Sequence, residues 1–161
     1  MIRIAALALG FASLVSLAVP AQAAAPKVVD RSAGGWNITR AVEGKLINCR
    51  AERKNGRRLD ILSVRSNGDT YVSINGEGRN GTFQDTIVQP INEPDTGLQW
   101  NITAGANKAR MWFTLDPTAV DIIAEAGGFR FLLGGSEDSG EISFGRGAAQ
   151  AWAKAQRCIQ R

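Results

Sequence analysis

The chain of 161 residues contains no histidine. That excludes Ser-His-Asp and Cys-His nucleophile systems and every histidine-ligated metal site. Cysteine is nearly as scarce, with only Cys49 and Cys158. An S-x-x-K sequence is missing, and with it the serine–lysine arrangement of penicillin-binding enzymes. No apolar stretch after residue 19 is long enough to span a bilayer. Neither sign of charge dominates the whole: 19 Lys+Arg stand against 15 Asp+Glu, a net +4. This is far from the dense positive field of a nucleic-acid binder. Internal repeats and low-complexity blocks are lacking as well.

What is present begins with a targeting pattern. Met1-Ile2-Arg3 is a short positive start, Ile4 to Val19 is apolar, Pro20 breaks the run, and Ala21-Gln22-Ala23 has the A-x-A cleavage form. These residues predict a bacterial Sec-type signal peptide over 1–23, cleaved before Ala24, and a single exported domain over 24–161. Loss of Arg3 leaves 18 cations against 15 acids, a net +3. Two cysteines in an exported chain predict one disulfide, Cys49–Cys158. In the chain-entropy account, closing a loop of that length contributes about 4 to 5 kcal/mol. The expected location is periplasmic or secreted.

Along the chain, Ala24 to Ser32 reads as an exposed lead-in. Trp36 and Ile38 alternate with polar residues, and Leu46, Ile47 and Cys49 follow Gly44-Lys45, which predicts a hairpin. Asn55-Gly56 marks a second turn, with Leu59 to Arg65 returning. Further strands are expected at 70–75, 83–88, 98–103, 108–115, 129–133 and 141–144, with a turn at Ala104 to Asn107. Gln89 to Gly97, carrying Pro90 and Pro94, reads as an irregular loop. Asp116 as cap, Pro117 at the first helical position and Gly127 past the end delimit a helix. Ala119, Ile122, Ile123 and Ala126 are its expected apolar stripe. Ala148 to Ile159 repeats Ala151, Trp152, Ala155 and Cys158 at helical steps, a second helix with its cysteine on the buried side. The expected fold is α+β: a mostly antiparallel, sandwich-like sheet of seven to nine strands with two short helices and one disulfide.

Candidate sites are few. Arg50, Arg53, Lys54, Arg57 and Arg58 gather five cations on the second hairpin, a candidate binding surface for an acidic lipid, polysaccharide or protein. The alternative is a solvated tip whose charges protect a sheet edge. Replacement of Arg53, Lys54, Arg57 and Arg58 by Gln is expected to leave the fold intact. Gly76 to Gly81 matches G-x-G-x-x-G, but β-like sequence follows where a dinucleotide site needs a helix, so it reads as a glycine-rich connection. Glu137, Asp138 and Glu141 miss the spacing of a calcium loop. Asn37, Asn80 and Asn101 open glycosylation sequons, idle behind a bacterial leader. Trp36, Trp100, Trp112 and Trp152 read as core rather than as a sugar-binding platform. No cofactor or metal is expected, and no catalytic residue is assigned.

Gly35-Trp36-Asn37-Ile38, Cys49, the helix from Asp116 to Gly127 and the closing Gly-x-x-x-Ala-x-x-x-Ala helix resemble small exported proteins of alphaproteobacteria. The family resembled is that of the invasion-associated locus B proteins; Cys158 departs from its cysteine pattern. The resemblance implies a periplasmic, non-enzymatic envelope or host-interaction role. The expected function is therefore an exported binding or interaction protein whose partner is an envelope component or protein, an acidic one among the candidates. A small secreted inhibitor of an envelope hydrolase or protease is the alternative, and a carboxylate-based hydrolase the third.

Overall fold

The computed structural model describes residues 25–92 and 97–160. The expected leader, and Pro94 of the expected loop, lie outside these residues. Ten strands form one antiparallel sheet: β1 (Lys27–Ser32), β2 (Trp36–Glu43), β3 (Leu46–Asn55), β4 (Arg58–Arg65), β5 (Thr70–Asn75), β6 (Asn80–Pro90), β7 (Trp100–Asn107), β8 (Arg110–Leu115), β9 (Gly128–Leu132) and β10 (Ser139–Ser143). Their spatial order is β1-β2-β3-β4-β5-β8-β7-β6-β9-β10, curled into a half-barrel. Helix α1 (Pro117–Glu125) joins β8 to β9, and α2 (Ala148–Ile159) follows β10.

Period-two alternation sorts the strands into two faces. One face carries Trp36, Ile38, Cys49, Ala51, Leu62, Val72, Met111, Phe113, Val88 and Phe129, all 2% exposed or less. The helices cover it. The Asp116 carboxylate accepts the Ala119 amide at 2.9 Å and so caps α1, with Pro117 at the first helical position. Of the expected stripe Ala119, Ile123 and Ala126 are buried, Ile122 is only half-buried, and Val120 and Ala124 join the buried side of α1. The α2 helix lies across β2, β3 and β4 on its alanines, which allow close approach. It is joined to α1 by Trp152 Nε1 donating to Asp121 Oδ1 at 2.5 Å. Gly147, at φ +85°, starts α2 where a Cβ would meet the Ala33 carbonyl at 2.3 Å. Edge-to-face and tilted contacts among Phe113, Phe129, Phe131, Phe144 and Trp36 fill the centre.

Cys49 and Cys158 are bonded, with Cα atoms 6.1 Å apart and a sequence separation of 109. The bond fastens α2 to β3. No helix among the described residues is long and apolar enough to cross a membrane.

Several expected elements change. The lead-in contains β1, an edge strand held to β2 by the backbone ladder, although Val28 and Val29 stay about half exposed. Without alternating burial, its sequence carries no strand signal. Ala104 to Asn107 continue β7 instead of turning, because small residues fit where Phe113 and Trp112 lie opposite Ala104 and Gly105. The second hairpin turns on Gly56-Arg57, since Asn55 pairs with Arg58. The sheet therefore has ten strands, one more than the upper expectation.

Candidate functional site

The five cations of the β3–β4 hairpin separate by face. Arg53 points toward the helices and is 9% exposed. Its Nη2 lies 3.0 Å from Oδ2 of Asp60, a carboxylate with no exposure at all. Arg58 reaches the same carboxylate, Nε to Oδ1 at 2.9 Å. Both guanidinium groups also donate to the Ser143 carbonyl on β10. Arg53 stands over the Trp36 ring at 5.3 Å. These two arginines thus tie β3 and β4 to the far edge strand across the opening of the half-barrel. Arg50 is on the opposite face, 3.1 Å from Glu43. Only Lys54 and Arg57 are left at an exposed tip. Asp60, which joins Arg53 to Arg58, was invisible in the sequence as anything but one residue of a strand.

The face turned away from the helices carries a second polar network. Ser63 Oγ donates to Asn48 Oδ1 at 2.8 Å, and Asn48 Nδ2 donates to Glu43 at 3.0 Å and to the Tyr71 hydroxyl at 3.3 Å. Asn48 and Ser63 are fully buried beneath the longer side chains. Arg65 lies 3.4 Å from Glu43 and 5.5 Å over the Tyr71 ring. Burial pushes the Tyr71 phenol upward, but hydrogen bonding with Ser63 and Asn48 and the charges of Arg50 and Arg65 outweigh it, leaving the phenol below its ordinary value. Arg110 donates to Ser73 at 2.9 Å, to the Leu59 carbonyl at 2.6 Å and to Asn75 at 3.2 Å. Burial lowers its guanidinium pKa against the upward pull of Asp60 and Glu52.

Trp112 sits on this face and is 37% exposed. Its indole covers Gly105, where a Cβ would fall 2.5 Å from the ring. Shallow hollows flank it. Arg65, Tyr71, Ser73 and Thr114 border one of about 350 Å³. Thr82, Thr103 and Thr114 border the other, about 410 Å³. The result is a flat aromatic plate between rows of hydroxyl groups, with arginines at one end. Trp36 and Trp152 are core as expected, and Trp100 is half-buried against it. Trp112 differs, because Met111, Phe113 and Leu115 take the inner face of β8 and leave it outside. That alternation is the signal that locates it.

The remaining motifs have structural partners. Within Gly76 to Gly81, residues 76–79 link β5 to β6 through a turn and Asn80-Gly81 open β6, with no helix beginning there. Asp138 is held bidentately by Arg79 at 2.7 and 2.8 Å, and Glu141 pairs with Arg130 at 2.7 Å. No group of three or more potential metal ligands occurs among the described residues. In comparisons with known proteins, no family model, curated protein or solved structure matches the chain.

Proposed function

We propose that this chain is an exported, envelope-associated binding protein without catalytic activity, and that the helix-free face of its sheet holds an acidic saccharide of the envelope. The observation that carries this reading is Trp112, an exposed indole lying flat on Gly105 with hydroxyl-bearing hollows on both sides. A sugar ring presents an apolar C–H face to such a plate and a rim of hydroxyls to Ser, Thr and Tyr. Arg65 and Arg110 supply positive charge at one end of it, and Arg110 has no carboxylate within ion-pair distance among the described residues. Export is supported by the leader-like pattern of residues 1–23 and by the Cys49–Cys158 bond, which persists in oxidising compartments. The resemblance to the invasion-associated locus B proteins points to the same class of role.

The test is a fluorescence titration with uronic-acid oligosaccharides beside neutral ones. Trp112→Ala should weaken the acidic ligand about fivefold or more, the scale of one aromatic contact. Gly105→Val should do likewise by displacing the indole, with the far-ultraviolet spectrum unchanged. Equal affinity in wild type and both variants would refute the assignment. Capture of one dominant hydrolase or protease from native envelope would instead favour the inhibitor.

A further inference from the structure

Beside the disulfide, on the face opposite Trp112, β1, β2 and α2 enclose a cavity of about 280 Å³. Its floor is apolar: Ile38 and the bonded Cys158 are buried, and Val29 forms a wall. Among the described residues its charges do not balance. Arg40, Lys154 and Arg157 face a single carboxylate, Asp30. Asp30 is already engaged, accepting Lys154 Nζ at 3.2 Å and the Arg31 amide at 2.7 Å, while Lys154 also donates to the Arg31 carbonyl.

The two arginines differ from Lys154. Neither Arg40 nor Arg157 forms an ion pair with a carboxylate among the described residues, and Arg40 Nε is buried with no acceptor. A dry, unpaired N–H donor is unfavourable, and no described residue satisfies this one. Arg40 pairs across the ladder with Cys49, so its side chain lies on the disulfide's side of the sheet. Val29 and Arg40 also border an adjoining hollow of about 210 Å³, with Lys27 and the exposed Val42.

We propose that this cavity binds an oxyanion carried on a short apolar body, a carboxylate or a phosphate monoester. The charged head lies between Arg40 and Arg157, whose planar forks match both anions. The body runs over Val29, Ile38 and the disulfide. At about 280 Å³ the space is at the small end for ligand sites and takes a head with a few carbons. Longer chains continue past Val29 toward Val42. This site is independent of the Trp112 face.

Calorimetric titration of the full chain with octyl phosphate, octanoate and inorganic phosphate tests it. One octyl phosphate or octanoate should bind per chain, with inorganic phosphate at least about tenfold weaker for want of the apolar contact. Arg157→Gln, at an exposed position, and Arg40→Gln should each weaken binding about tenfold. Arg130→Gln, on β9, and Trp112→Ala should leave it unchanged. Flotation with vesicles of phosphatidylcholine, with or without phosphatidic acid, whose head is a phosphate monoester, then separates the two sources of such a head. Arginine-dependent binding to the anionic vesicles assigns a lipid headgroup, and its absence beside octanoate binding assigns a free organic acid. Absent binding, equal affinity for inorganic phosphate, or binding indifferent to both arginine variants overturns the proposal.

Discussion

Asp60→Ala is expected to destabilise the domain more than any other single loss of a charge. Asp60 is fully buried between Arg53 and Arg58, whose side chains are 11% and 29% exposed. Removing a partner from a buried pair costs about 3 to 5 kcal/mol, because the charge left behind has lost its water and gained nothing. Here Arg58 is exposed enough to turn toward solvent, so the penalty falls mainly on Arg53. That places the expected cost at about 3 kcal/mol, a large part of the roughly 5 to 15 kcal/mol that holds such a domain together. In thermal unfolding it corresponds to a fall of roughly 10 °C in Tm. Urea unfolding followed by tryptophan fluorescence measures it, with the indole of Trp36 beneath Arg53 as a local reporter. The double variant Arg53→Met, Asp60→Leu should lie closer to wild type than Asp60→Ala, since it leaves no charge stranded. A cost below about 1 kcal/mol for Asp60→Ala, or a double variant worse than the single, would refute this reasoning.

Thiol labelling of the unfolded, unreduced protein should find no free cysteine, and Cys49→Ser should lower stability by about 2 to 5 kcal/mol. Tyr71 is the only tyrosine, so an absorbance titration reads it alone. It should ionise below the usual value near ~10, and Arg65→Gln should move it upward. Asp138 is held below the usual carboxylate range, first by hydrogen bonds from Arg79 against a small effect of burial. A lowered folded-state value means that its stabilisation is present above about pH 4 and lost as pH falls through the folded value. Because the pair is substantially exposed, Asp138→Asn should cost under about 1 kcal/mol at neutral pH. The difference from wild type should vanish in acid, as denaturation at both pH values will show.

The hairpins, both helices, the cap of α1 and the disulfide were legible because each is written in local chemistry: alternation, glycine-bearing turns, Asp116-Pro117, and cysteine count. The sandwich-like expectation resolved into one curled sheet because strand order depends on which distant edges meet. Nothing in GEISF at β10 announces that its carbonyl receives Arg53 and Arg58 from some 85 to 90 residues away. For the same reason the basic hairpin read as one patch. Period two divides Arg50 from Arg53 at once, but the burial of Arg53 depends on Asp60 and Ser143. Replacing Arg53 and Arg58 by Gln therefore touches the fold, against the expectation for exposed charges. The cavity beside the disulfide was illegible, since Arg40 and Arg157 are 117 positions apart.

Placing Cys158 on the last helix and Cys49 on the third strand has a consequence for the order of events at synthesis. A chain that emerges amino-terminus first, from a ribosome or a translocation channel, presents Cys49 long before its partner. During that interval all ten strands become available while Cys49 is still a reactive thiol facing the side that α2 will cover. Any oxidant meeting the chain then can join it to a foreign thiol or capture it as a mixed disulfide. The docking of α2 ends that exposure. It shields the sulfur with the alanine face of the helix and delivers the Cys158 thiolate, which attacks the Cys49 mixed disulfide and expels the oxidant's thiol as the bond closes.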